Sequence, residues 1–353
     1  MLVNRKHAMT TDTNGLSLQH EEHVSQLKNT SMRIALALLL QRALLQGIAV
    51  VIGVLQAIFE GVLPIAAAHI LGETVYGIGY FFSFAFPAWL FWRISRKKEE
   101  YRTGFYRGRI PRTMPLIVLA VIALNFAAAY VNSYVITMIF PGLDSLMSVM
   151  QESTMTWYEI MMNVFTIAIV PALCEELLFR GVILSNLLPF GRTVAILGSG
   201  LLFGLMHENP LQIFYTSLMG VILGYVYIKT RSYWACVIIH FLNNSVSVVQ
   251  SALVGRSDML DGVAMGVELV ILVLGACALA VLLVRMRNMT DPEETGSFGV
   301  LFEPHADYAE YPVSPKKRVS GFFSPFMIVY IVLSVLTMVL LGTVFGISSF
   351  FIA

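Results

Sequence analysis

Apolar runs of membrane-spanning length constrain this chain more than any other feature. A helix needs roughly 20 apolar residues to cross a hydrocarbon layer about 30 Å thick. Runs near that length recur at 44–71, 75–95, 114–140, 158–188, 193–208, 211–229, 233–254, 264–285 and 324–352. Pro64 lies inside the first run and is a point where it can break. Of the 353 residues, 57% are hydrophobic and only 13% charged, which excludes an ordinary soluble domain. Lipid leaves no water for exposed backbone groups. The expected fold is therefore all-α, a polytopic membrane helix bundle of about eight to nine transmembrane helices.

The net charge of +1 gives no reason to expect a nucleic-acid partner, and the lipid bilayer is the first partner implied. The linker 93–113, "RISRKKEEYRTGFYRGRIPR", is dense in Lys and Arg, and "RMRN" and "PKKR" flank a second linker at 286–323. Basic loops stay on the cytoplasmic side. Alternation then puts Arg192, Lys229 and Arg231 inside, and Asp144, Glu152 and the aspartates of 256–261 outside. The N-terminus is expected in the cytoplasm and the C-terminus outside, in a bacterial plasma membrane.

Four segments follow: a polar N-terminal tail (1–31), N-terminal transmembrane helices (32–157), a core at 158–254 that carries the unusual polar residues, and C-terminal helices (255–353). The tail lacks a cleavable signal pattern and reads as loosely attached. Its His7, His20 and His23 have no regular metal-ligand spacing and read as solvated. Cys174, Cys236 and Cys277 all fall in apolar runs, where small packing residues are expected rather than disulfides.

The stretch "TIAIVPALCEELLFRGVIL" places Glu175, Glu176 and Arg180 among apolar neighbours. A charge near the middle of a membrane helix costs about 2.5–3.5 kcal/mol on insertion scales, so such groups face the protein interior and mark function. Glu176 and Arg180, four residues apart, share a helix face and can pair. Glu175 points about 100° away and needs a different partner. Ion-pair stapling of helices accounts for Glu176 and Arg180 and leaves Glu175 unexplained.

Further polar groups sit in neighbouring runs. His207 closes "LGSGLLFGLMHENP", and His240 precedes Asn244 by one turn in "YWACVIIHFLNNSVSVV", so these two share a face while Asn243 turns away. Counted from the expected cytoplasmic helix ends, Glu175 and His207 lie roughly 20 Å deep and His240 roughly 11 Å, within one broad layer. Gly198, Gly200, Gly204, Gly220 and Gly224 permit close helix approach. This set suits peptide hydrolysis without a covalent intermediate. Glu175 is the general base for water, His207 its partner, and His240 with Asn244 donate to the oxyanion. Glu176 and Arg180 support them.

The ordered segments "EELLFR" (175–180), "FGLMH" (203–207) and "HFLNN" (240–244) resemble the EExxxR, FxxxH and HxxxN motifs of the type II CAAX prenyl protease family, within the broader CPBP or Abi group of intramembrane proteases. The resemblance covers roughly 158–250. It implies an all-helical, glutamate-dependent membrane endopeptidase with Glu175, His207, His240 and Asn244 as its catalytic residues. Glu176 and Arg180 are the supporting motif residues. The implied partner is a membrane-associated peptide or protein substrate, prenylated or otherwise.

No cofactor is expected. Zinc on Glu175, His207 and His240 is the alternative, although "HENP" does not continue into an HExxH pair and Pro210 interrupts the helix. Two non-enzymatic readings stand beside the protease: a transporter with a buried proton relay, against which stands the lack of internal repeats, and an immunity or scaffold protein on a degenerate protease fold.

Overall fold

The computed structural model describes the backbone of residues 3–59, 62–97, 104, 108, 110–139, 155–254, 257–288 and 314–352. The acidic loop 141–154 and most of both basic linkers lie outside the described residues. The helices are α1 (Val3–Phe59), α2 (Ile65–Ser95) and α3 (Met114–Ile139), then a composite rod α4 over 157–190. They continue with α5 (Arg192–Met206), α6 (Ile213–Thr230), α7 (Tyr233–Leu253), α8 (Asp258–Asn288), α9 (Pro315–Phe322) and α10 (Pro325–Ile352). The all-α expectation holds. Among the described residues seven helices are long and apolar enough to cross a membrane, and the shorter apolar α5 stands beside them.

One expected break is met and one segment departs from the sequence reading. Pro64 does break the first apolar run, as the N-terminal flank of α2; it lacks the N–H that a continuing helix would use. The segment read as a loose polar tail is instead continuous with α1. Leu27, Thr30 and Ser31 are buried, and the Ser31 hydroxyl donates to the Phe322 carbonyl at the end of α9. The same continuity puts Arg42, which the sequence reading left outside the first run, inside a membrane-length helix.

Packing follows residue size and polarity. α5 lies along α6, α3 along α8 and α1 along α2. The α5–α6 approach depends on glycine: a Cβ at Gly220 would stand 2.8 Å from Gly200 Cα, closer than side chains tolerate, so the expected role of this glycine pair is met. Outward faces stay apolar, with Val50, Phe82 and Leu269 among the exposed large side chains, as a lipid-facing surface requires. Cys174 and Cys236 are buried free thiols and Cys277 is an exposed one.

The rod α4 is what presents the glutamates. Its α-helical stretch Val170–Leu178 is bounded by wider π turns at Val164–Ile169 and Phe179–Leu184. Such turns are rare and recur at functional sites because the extra residue re-aims the side chains that follow. One local cause is in the sequence. Pro171 has no N–H to give to the Ile167 carbonyl one turn back, and Asn244 Nδ2 takes that carbonyl from α7 at 2.9 Å.

Candidate active site

Glu175 and Glu176 are adjacent in sequence, yet helix geometry sends them to different neighbours. Glu175 reaches α2, where the Tyr80 hydroxyl donates to its Oε1 at 2.5 Å. Its other oxygen, Oε2, is buried without a hydrogen-bond partner and stands 4.0 Å from His240 Nε2. Glu176 turns instead toward its own rod and α7. Its Oε1 accepts from Arg180 Nη1 at 2.9 Å and lies 2.9 Å from His240 Nδ1.

Arg180, fully buried, also donates to the Gly220 carbonyl at 3.1 Å and lies over the Phe203 ring. A buried guanidinium of this kind is stable only when paired and hydrogen-bonded. Glu176 and the α6 backbone supply both.

Histidine tautomers follow from what each ring nitrogen faces. His207 Nδ1 lies 2.8 Å from the Phe203 carbonyl, which only accepts, so Nδ1 carries the proton and neutral His207 keeps a lone pair on Nε2. His240 Nδ1 donates to the Glu176 carboxylate. Neutral His240 therefore also presents a lone pair on Nε2, and only its imidazolium form carries an Nε2 proton that an oxyanion could accept.

A cavity of about 630 Å³ brings these groups together: Glu175, His207, His240 and Asn244 all line it. Glu175 and His207 share the space without a direct hydrogen bond. Glu176 and Arg180 lie behind it. Asn243 does not turn away as expected. It lines the cavity too, donating to Asn244 Oδ1 at 3.2 Å and accepting from Asn125 Nδ2 at 3.1 Å. The wide cavity receives both neighbours of the turn, and the resulting amide chain runs from α3 through α7 to the Ile167 carbonyl of α4.

Sequence reasoning missed several residues of this site. Tyr80 is the main one. Its signal was the tyrosine pair Tyr76 and Tyr80, four apart in an apolar helix, since a buried tyrosine hydroxyl seeks a partner. Glu268 on α8, accepting from Gln250 Nε2 at 2.8 Å, lines the same cavity and was also passed over.

In both histidines Nδ1 is held by an oxygen acceptor, a preparation that also suits metal ligands. Among the described residues no three His, Cys, Asp or Glu side chains gather closely enough to hold an ion.

Fold and site together define a class: an integral membrane helix bundle in which buried carboxylates, imidazoles and amides from separate helices converge on an internal cavity. The segment that carries most of that site is also the one that resembles a known family. Residues 156–246 match the family model for Type II CAAX prenyl endopeptidase Rce1-like proteins, as the three ordered motifs implied, and the matched segment is about a quarter of the chain. No curated protein and no solved structure matches the chain.

Proposed function

We propose that this protein is an intramembrane endopeptidase in which Glu175 activates water for direct attack on a peptide carbonyl. One observation carries the reading: Glu175 Oε2 is a buried, unpartnered carboxylate oxygen facing a cavity that also holds His207, His240 and Asn244. Tyr80 holds the other oxygen, which leaves Oε2 as the base.

The water gives a proton to Glu175 Oε2 while its oxygen bonds to the carbonyl carbon, and the C=O electron pair moves onto the carbonyl oxygen. The imidazolium of His240, aligned through Nδ1 by Glu176, and the Asn244 amide donate to that oxyanion. As the C–N bond breaks, the proton on Glu175 passes to the leaving nitrogen, with His207 Nε2 as the relay. Both negative and positive charge stay within the cavity, so no covalent enzyme intermediate is needed.

The substrate is a membrane-associated peptide or protein. An apolar pocket of about 230 Å³ adjoins the cavity and shares Phe126, Gln250 and Glu268 with it; it suits an apolar side chain or a prenyl group. Metal-free catalysis is part of this reading. Full activity after exhaustive chelation supports it, and loss restored by zinc alone rejects that part.

The deciding experiment is proteolysis by purified protein in liposomes, against a library of prenylated and unprenylated peptides. Glu175→Ala, His207→Ala and His240→Ala are compared with wild type, and folding is checked by thermal melting. Loss of about a hundredfold or more in folded variants is expected on removal of a general base, a proton relay or an oxyanion donor. Equal cleavage by wild type and variants would assign the buried charges to structure or transport instead.

A further inference from the structure

His207 stands at the end of α5, and the residue after it has an unusual backbone. Glu208 has φ of 50°, in the left-handed region that non-glycine residues seldom occupy. Within the turn its N–H donates to the Leu205 carbonyl at 3.2 Å, and its side chain is held from outside.

The holding contacts come from two helices outside the matched segment 156–246. Arg42, inside α1, pairs with Glu208 Oε1 at 2.5 Å and donates from Nη2 to Thr337 Oγ1 of α10 at 2.5 Å. Ser334 of α10 reaches the same Glu208 oxygen at 3.5 Å. From the opposite side Asn132 of α3 pins the rest of the turn, donating to the Pro210 carbonyl and accepting from the Phe214 N–H. An arginine inside a membrane-length helix marks function or a fixed partner, and this one spends its charge on the residue next to His207.

We propose that Arg42, through its ion pair with Glu208, is a positioning residue that sets the orientation of His207 in the cavity, so that α1 and α10 form part of the catalytic apparatus. The inference rests on the reading of His207 as a proton relay. The guanidinium holds the Glu208 carboxylate against α1 and α10, and through that side chain it restrains the backbone next to His207. The ring of His207, anchored at Nδ1 by its own helix, then keeps Nε2 in the cavity. Arg42→Lys retains the charge but loses the fork that engages Glu208 and Thr337 together, so it should restore only part of the effect.

The test uses the full-length protein in liposomes or nanodiscs and has two arms. In the first, Arg42→Gln and Glu208→Gly are expected to lower kcat about tenfold with little change in KM. Neither should lower the residual rate further in a His207→Ala background. Glu208→Gly removes the backbone strain as well as the carboxylate, so its recovery to wild-type rate would reduce the pair to strain relief and overturn the proposal. Full additivity with His207→Ala would also overturn it, because a purely structural staple acts independently of that side chain.

The second arm reads the ¹⁵N-histidine spectrum. Arg42→Gln is expected to shift or broaden the His207 ring signals while those of His240 persist. An unchanged His207 spectrum overturns the clamp whatever the activity shows. A wild type without peptidase activity sinks the protease reading alone, and the spectrum still decides the clamp.

Discussion

His240 Nδ1 and Glu176 Oε1 lie 2.9 Å apart, and the same carboxylate oxygen receives Arg180 Nη1 at 2.9 Å. One oxygen thus joins the ion pair of α4 to the histidine of α7. Glu176 is both the counter-ion of a buried arginine and the group that orients an imidazole at the cavity wall.

That double duty separates in mutants. Glu176→Ala leaves Arg180 buried and uncompensated, which is expected to destabilise the protein by about 3–5 kcal/mol. Glu176→Ala combined with Arg180→Met should recover most of that stability while activity stays low, since His240 has still lost its Nδ1 partner. Thermal melting and peptide cleavage on the same preparations check this, and recovery of both would show that Glu176 does no more than neutralise Arg180.

Tyr80→Phe removes the hydroxyl that donates to Glu175 Oε1 and little else. A hydrogen bond to a charged group contributes about 1.5–3 kcal/mol. The expected loss in kcat is therefore roughly tenfold to a hundredfold, with folding preserved. Wild-type kcat in this variant would remove Tyr80 from the site.

Pro171→Ala supplies an N–H that can bond the Ile167 carbonyl in ordinary helical fashion. Asn244 then competes for an acceptor it now holds at 2.9 Å. Lower activity with unchanged or increased thermal stability is expected, because the helix gains a backbone bond while the amide loses its anchor. Unchanged activity would mean that Asn244 is held adequately by Asn243 alone.

Glu208 makes the behaviour of the Arg42 pair depend on pH. Burial raises its carboxyl above the ordinary value, against the opposing pull of Arg42 and Ser334. The groups around it are Arg42 from α1, Ser334 and Tyr330 from α10, and His207 on its own turn. Pairing needs the ionised form, so kcat should fall with decreasing pH sooner than an ordinary carboxylate would dictate. Stability has the opposite sign: a carboxyl raised on folding contributes favourably below its unfolded value, and that contribution is lost as pH rises through the folded one. The melting difference between wild type and Glu208→Gln should therefore shift toward wild type on acidification while its kcat advantage shrinks. Parallel pH–kcat profiles in the two proteins would reject the link.

How much was legible in advance differs between elements. Apolar run length predicted α3 to α7 and α10 to within a few residues, because lipid imposes both length and polarity on a spanning helix; it placed the start of α2 too late and did not foresee the short, polar α9 (Pro315–Phe322). The start of α1 was misread. Polar composition suggested a loose tail, but Leu27, Thr30 and Ser31 are buried against the α9 end of the bundle. Within the site, the i,i+4 rule foresaw the Glu176–Arg180 pair. It was silent on Tyr80, which lies 95 positions from Glu175 in the chain, and it misplaced Asn243, whose surroundings are set by the width of the cavity.

The sequence by itself determined that the chain is a helical membrane bundle and that Glu175, Glu176, Arg180, His207, His240 and Asn244 are its unusual polar residues. Hydrophobic length and the high energy of a charge in lipid leave few alternatives, and both are properties of local composition. Tertiary structure decided the partners. Which glutamate oxygen stays free, which nitrogen of each histidine carries the proton, and which distant arginine holds the turn after His207 all depend on contacts between helices far apart in the chain. No local periodicity encodes those contacts.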